Sequence, residues 1–252
     1  MYILVFILGI IIGSFLNVCI YRIPREESIV FPSSHCTYCS HTLAWYDLIP
    51  MLSFLSLRGK CRYCGGDISP QYPIIEILNG IFYIFTFYYF GFTLEALFYS
   101  LIINILLVIT VIDFNEQIIP DGLVLSIFII TVAYRFTAYF LFETPIYLWN
   151  SLLSLLSGGL LFFIIAVASN GGMGGGDIKL IAVLGFIQGL KKTLLNILLS
   201  FLIGAFVSII LLLLKKKGRK DAIAFGPFIN IAFIITLFFG DLIIIWYISN
   251  FL

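Results

Sequence analysis

Apolar runs separated by short polar breaks fill almost the whole chain, and most are long enough to cross a bilayer core as an α-helix, which takes about 20 residues. They lie near 2–20, 74–91, 95–112, 121–142, 151–169, 178–190, 193–214 and 226–249. The pattern predicts an all-α polytopic membrane protein of about eight transmembrane helices. One run is awkward: 178–190 holds only about 13 residues and ends at Lys191 and Lys192. A steep, half-buried helix or a locally thinned bilayer would accommodate it. The single long polar stretch follows the first run. The chain therefore divides into a first helix (1–20), a loop domain (21–73) and a helical membrane domain (74–252).

Composition agrees, with 62% hydrophobic and 11% charged residues and a mean hydropathy of +1.13. A soluble domain of this size needs far more polar surface. Net charge is only +1, but its placement orients the chain. Basic residues cluster at Arg22, Arg25, Arg58, Lys60 and Arg62, and again at Lys215, Lys216, Lys217, Arg219 and Lys220. The positive-inside rule puts 21–73 and the 215–221 loop in the cytoplasm. An even number of runs separates them, so the two placements agree. The same count puts 113–120 and the glycine tract 170–177 at the cytoplasmic face. The first run carries no charge and no basic leader, and reads as a retained helix rather than a cleaved signal. The bilayer is an expected partner and nucleic acid is not.

The loop domain carries Cys36-Thr-Tyr-Cys39 and Cys61-Arg-Tyr-Cys64, two CxxC knuckles 21 residues apart. This spacing predicts a structural site of four thiolates around zinc, or iron in a rubredoxin-like variant. So short a polar segment lacks the apolar residues for a core of its own, and a metal supplies the stability. Disulfides are disfavoured in a reducing cytoplasm, and redox catalysis expects one CxxC rather than a matched pair. His35 and His41 flank the first knuckle and read as solvated loop residues. Cys19 reads as a small core residue.

Two acids lie where apolar runs end. Asp113 closes the third run, and Asp177 follows Gly174, Gly175 and Gly176 and opens the sixth. Singly, each has an ordinary role: Asp177 as an N-cap, Asp113 as the polar end of a helix. Together, at one membrane face, they read as a carboxylate pair able to share a proton and activate water. The three glycines exceed what a cap requires and admit an extended substrate backbone beside the acid. No P-loop ending or GxSxG elbow accompanies them.

Nearly the whole chain resembles the type 4 prepilin peptidases, a family of GxGD aspartic membrane peptidases. The resemblance rests on Tyr21-Arg-Ile-Pro24, Phe31-Pro-Ser-Ser-His-Cys36, Leu57-Arg-Gly-Lys-Cys61 and Ile68-Ser-Pro-Gln-Tyr-Pro73 leading to Glu76. It continues through Ile112-Asp113, Ile119-Pro-Asp121, Gly174-Gly-Gly-Asp177-Ile-Lys-Leu180 and Phe225-Gly-Pro227. It implies that Asp113 and Asp177, 177 − 113 = 64 residues apart, are the catalytic pair. It also implies prepilin or pseudopilin substrates with a short basic leader before an apolar helix, cut after a glycine at the cytoplasmic face of the bacterial inner membrane. Many members then methylate the new N-terminus with S-adenosylmethionine, and no methyl-donor pocket is legible in this sequence.

Helix polarity assigns the two acids unequal roles. Asp177 starts a helix, where the N–H groups favour a carboxylate base, and Asp113 ends one, where the carbonyls favour the protonated acid. Competing readings are a transporter with a zinc-stabilised loop, its aspartates serving as helix caps or ion ligands, and a membrane methyltransferase or zinc-loop binding protein. A transporter predicts acids near mid-span and an inverted repeat. Here the acids lie at span ends and no internal repeat is evident.

Overall fold

The computed structural model describes residues 1–143, 147–169, 172–215 and 223–251. Among these are nine α-helices: α1 (Tyr2–Arg22), α2 (Leu52–Ser56), α3 (Gln71–Phe90), α4 (Leu94–Glu116), α5 (Asp121–Phe142), α6 (Leu148–Ala168), α7 (Gly175–Gln188), α8 (Leu190–Leu213) and α9 (Gly226–Phe251). All but α2 answer to the predicted apolar runs within a few residues. The basic 215–221 loop lies outside the described residues apart from Lys215, as does the start of the glycine tract at 170–171. The chain forms two compact units, Met1–Val108 and Ile109–Leu252.

In the first unit α1 packs along α3. The approach is close because a side chain at Gly9 would sit 2.8 Å from the Gly80 Cα, and one at Gly13 would sit 2.8 Å from the Glu76 Cα. Within a bilayer, such small-residue contacts and interhelical hydrogen bonds replace the hydrophobic drive. Asn79 Nδ2 accordingly donates to the Gly9 carbonyl at 2.8 Å, and Asn17 Nδ2 to the Tyr72 carbonyl at 3.1 Å. The buried Arg22 ties the start of the loop to the end of α1, donating to the carbonyls of Ser28 at 2.8 Å and Pro32 at 2.7 Å.

In the second unit α7 packs against α5, α6, α8 and α9, and its Leu180, Ile181 and Leu184 are fully buried. Eight apolar helices are expected and eight are present among the described residues, of which α7 is the short one. Seven described helices are long and apolar enough to cross a membrane, while α7 has 14 residues and rises only about 21 Å. Neighbouring helices cover the face that carries Leu180, Ile181 and Leu184, while Ile178 and Ala182 lie on an open side.

Polar contacts hold the far end of α7. Arg135 of α5 donates to the Phe186 carbonyl at 2.7 Å and to Ser151 Oγ at 2.6 Å, and lies over the Phe186 ring. A cation there also complements the negative end of the helix dipole. Gln188 Nε2 donates to Thr236 Oγ1 at 2.7 Å, and Lys192 pairs with Asp241 at 2.8 Å. Asp241 lies 241 − 226 = 15 residues along α9, about 22 Å of rise, which matches the length of α7. The awkward Lys192 is thus one half of an ion pair in the first turn of α8.

Candidate functional site

The two knuckles of the loop domain are copies of one turn, offset by 25 residues. Cys36 N–H donates to the His41 carbonyl at 3.0 Å and Cys61 N–H to the Gly66 carbonyl at 2.8 Å. Ser40 N–H returns to the Cys36 carbonyl, and Gly65 N–H to the Cys61 carbonyl. Ser40 and Gly65 both hold positive φ, at 56° and 72°, and the bridges His35–Thr42 and Lys60–Asp67 close the two turns. The repeat is visible in CTYCSHT against CRYCGGD once the offset is known, so a local repeat corrects the expectation of none.

Together the turns bring all four cysteine sulfurs within 4.8 Å of one another. Cys36 and Cys64 Sγ lie 3.8 Å apart, the edge of a sulfur tetrahedron with bonds of about 2.3 Å. The four can hold a metal ion. Desolvation opposes ionisation of the Cys36 thiol, but the N–H groups of Cys39 and Tyr38 and the neighbouring sulfurs outweigh it and bring it down to about 7. Gly66 N–H favours the Cys64 thiolate, yet desolvation and the other three sulfurs push that thiol up to about 11. A bound cation would favour the thiolate form of all four. Neither histidine joins the group: His41 stacks on Tyr63 with centroids 3.7 Å apart, and His35 Nδ1 contacts the Ser33 carbonyl.

In the second unit Asp113 and Asp177 come together. Both are buried, at 5% and 8% exposure. Asp113 sits in the last turn of α4, which runs three residues beyond it to Glu116. Gly226 N–H, at the start of α9, donates to its Oδ2 at 2.9 Å. One turn deeper, Asn230 Nδ2 donates to Thr110 Oγ1 at 2.9 Å and fastens α9 to α4 a second time. Asp177 is not the N-cap of α7. Gly174 is, and Asp177, three residues on, reaches back to the Gly174 amide, as the third residue of a capping box does.

Desolvation first, and the charge of Asp113 second, push the Asp177 carboxyl up to about 7, against the lowering by the Gly174 amide. Its Oδ1 is buried and has no hydrogen-bond partner among the described residues. A buried, half-satisfied carboxyl beside a second carboxylate is the arrangement that holds a proton near neutral pH.

Ile119 joins the two acids' supports. A side chain at Gly176 would meet its Cβ at 2.7 Å, and one at Gly226 would meet its Cδ1 at 3.1 Å. On the outer rim, Lys179 pairs with Asp121 at 2.8 Å, both exposed.

The family model for the bacterial peptidase A24 N-terminal domain matches residues 7–90, and that for the type IV leader peptidase family matches residues 100–209. A Bacillus subtilis (strain 168) protein is 35% identical over 247 residues, covering 98% of this chain and 97% of that protein. The chain belongs to the type IV leader peptidase family. Relatives in Aeromonas hydrophila and Legionella pneumophila are each 33% identical, covering 99% of this chain and 94% and 95% of their own. All three bear the name prepilin leader peptidase/N-methyltransferase. No solved structure matches the chain. The chain is accordingly a multi-pass membrane protein of a peptidase family, with its buried acids on the segment of the second match.

The geometry alters one expectation. The Asp113 carboxylate meets a helix N-terminus, as Asp177 does, and helix polarity no longer separates them. The Phe225-Gly-Pro227 stretch carried part of the resemblance, yet nothing in the sequence tied Gly226 to Asp113.

Proposed function

We propose that this chain is an aspartyl endopeptidase that removes the leader of prepilin or pseudopilin proteins at the cytoplasmic face of the inner membrane. The observation that carries the reading is the pair of buried carboxyls, one fixed by Gly226 N–H and the other raised to about 7 with an unpartnered oxygen. Asp177 holds the shared proton and donates it toward the scissile carbonyl. Asp113 is the carboxylate that takes a proton from the attacking water. These roles reverse those that helix polarity gave.

Gly174, Gly175 and Gly176 lie against the substrate backbone. An added side chain at Gly175 would meet nothing within 4 Å, so backbone approaches there unobstructed. An open apolar groove between α6 and α7 is lined by Leu156, Leu160, Phe163, Ile178 and Ala182, with Ile178 the residue after Asp177, and suits an apolar segment following the cleaved bond.

Cys36, Cys39, Cys61 and Cys64 bind zinc, which holds the 21–73 loop in shape and supplies no step of cleavage. Methylation of the new N-terminus from S-adenosylmethionine is proposed on the relatives' name. No described residues assemble a recognisable donor site, and no step is assigned to one.

The test is cleavage of a prepilin by the full-length protein in detergent. Asp113→Asn should abolish it, while Asp177→Asn keeps a hydrogen-bond donor and should retain a trace. Wild-type rates in both variants would end the aspartyl reading, and a trace only in Asp113→Asn would return the roles to the order helix polarity gave. The transporter alternative has no comparable support, because the acids converge on each other at helix ends.

A further inference from the structure

The two acids are held differently. Asp177 is reached from within its own helix by the Gly174 amide three residues before it. Asp113 depends on a residue 226 − 113 = 113 positions away, on another helix. Gly226 meets it in two ways. Its N–H donates to Oδ2 at 2.9 Å. Its missing side chain also leaves room, because a Cβ there would lie 2.7 Å from Oδ2, 3.3 Å from Cγ and 3.1 Å from Ile119 Cδ1. Pro227 follows, in the first turn of α9, where a proline lacking its N–H costs nothing. Below it Asn230 pins α9 to Thr110 of α4, so the distance between Gly226 and Asp113 is fixed by a second bond one turn away.

We infer that Gly226 is a positioning residue for the cleavage reaction: its N–H fixes one oxygen of Asp113, and its bare Cα gives that carboxylate the space it occupies. The other oxygen of Asp113 is thereby aimed toward the water that it deprotonates. The inference rests on the aspartyl reading above. A methyl at 226 displaces the carboxylate and lengthens or breaks the bond. Losing a hydrogen bond to a charged group should lower kcat by roughly 10- to 150-fold. Substrate binding lies elsewhere, and KM should stay within about twofold.

The experiment compares wild type, Gly226→Ala and Asp113→Asn for cleavage of a prepilin with a basic leader and an apolar segment. The fall in kcat at constant KM, with the acid limb of the pH profile moved upward, is the expected result for Gly226→Ala. Loss of cleavage in Asp113→Asn with unchanged kcat in Gly226→Ala would overturn the positioning role alone. Full activity in Asp113→Asn would overturn the aspartyl reading beneath it.

Gly226→Ala also crowds Ile119, and a second variant separates that packing effect. Adding Ile119→Val removes Cδ1 but leaves the methyl against Asp113. The double variant should recover the wild-type melting temperature and not the rate, and recovery of both would reduce Gly226 to packing. In the wild-type protein itself, the 15N-labelled Gly226 amide resonance should titrate over the pH range in which cleavage titrates. An amide that does not move with pH would overturn the inference whether or not any variant folds.

Discussion

Burying Asp177 beside Asp113 has a cost in stability whose sign and size follow from the site. Asp177 moves from an ordinary value of 3.8 to about 7 on folding. The folded protein thus holds a proton that the unfolded chain has released across roughly pH 4 to 7. Stability from this group is fully present below pH 3.8 and is lost as pH rises through about 7. A gap of about 3 units at 1.36 kcal/mol each sets a ceiling of about 4 kcal/mol on the penalty that the wild type carries at alkaline pH.

Asp177→Asn removes the ionisable group and keeps the shape. The variant should melt higher than the wild type at pH 8.5 and show little difference at pH 4. About 1 kcal/mol moves the melting temperature of a domain this size by roughly 2–4 °C, so a gap of several degrees should open between those two conditions. Tryptophan fluorescence during a thermal ramp of the detergent-solubilised protein reads it directly. Cleavage by the wild type should decline about tenfold per pH unit above about 7, as the shared proton is lost. A melting difference that is the same at pH 4 and pH 8.5, or a wild type that is the more stable of the two at pH 8.5, would refute the argument. A purely structural Asp177 predicts a variant destabilised at both.

Two further outcomes are expected. Purified protein should contain about one zinc per chain by elemental analysis, and Cys61→Ser should release it and open the 21–73 segment to protease; a metal-free protein with a protected loop would refute the structural-metal reading. Arg135→Met should cost about 2–3 kcal/mol and lower the melting temperature by roughly 5–10 °C, because the Phe186 carbonyl loses its buried donor; an unchanged melting temperature would show that the α7 terminus is satisfied some other way.

Much of this could be read in the sequence because its signals were local. Twenty apolar residues in a row report a helix regardless of what packs beside it, and all eight apolar runs fall within a few residues of helices in the structure. The CxxC pairs fix their own turns, so Cys36, Cys39, Cys61 and Cys64 converge as their spacing required. Asp113 and Asp177 were legible as a pair because the resemblance named them and the charge pattern put both at one face. What was missed depends on distant partners. Hydropathy measures aversion to water and cannot tell lipid from protein, so the packing of α7 against α5, α6, α8 and α9 was not legible from its run. Gly9 and Gly13 are ordinary residues of an apolar run until α3 is laid against them.

The roles of the two acids show the same limit at the scale of chemistry. Position within a helix says which end of that helix's dipole a carboxylate meets, and on that ground Asp113 belonged among carbonyls. The fold brings the first N–H of α9 to it from more than a hundred residues away. A hydrogen bond to a charged group is worth more than the dipole of an exposed helix end, about 1.5–3 against 0.3–1 kcal/mol. The tertiary contact therefore outweighs the local one. Asp177 keeps its local amide at Gly174 but loses solvent and gains the charge of Asp113, and both changes favour its protonated form. On the proposed mechanism, the carboxylate that takes the water's proton is the one with an N–H brought to it from another helix, and the acid is the one whose second oxygen has no partner among the described residues.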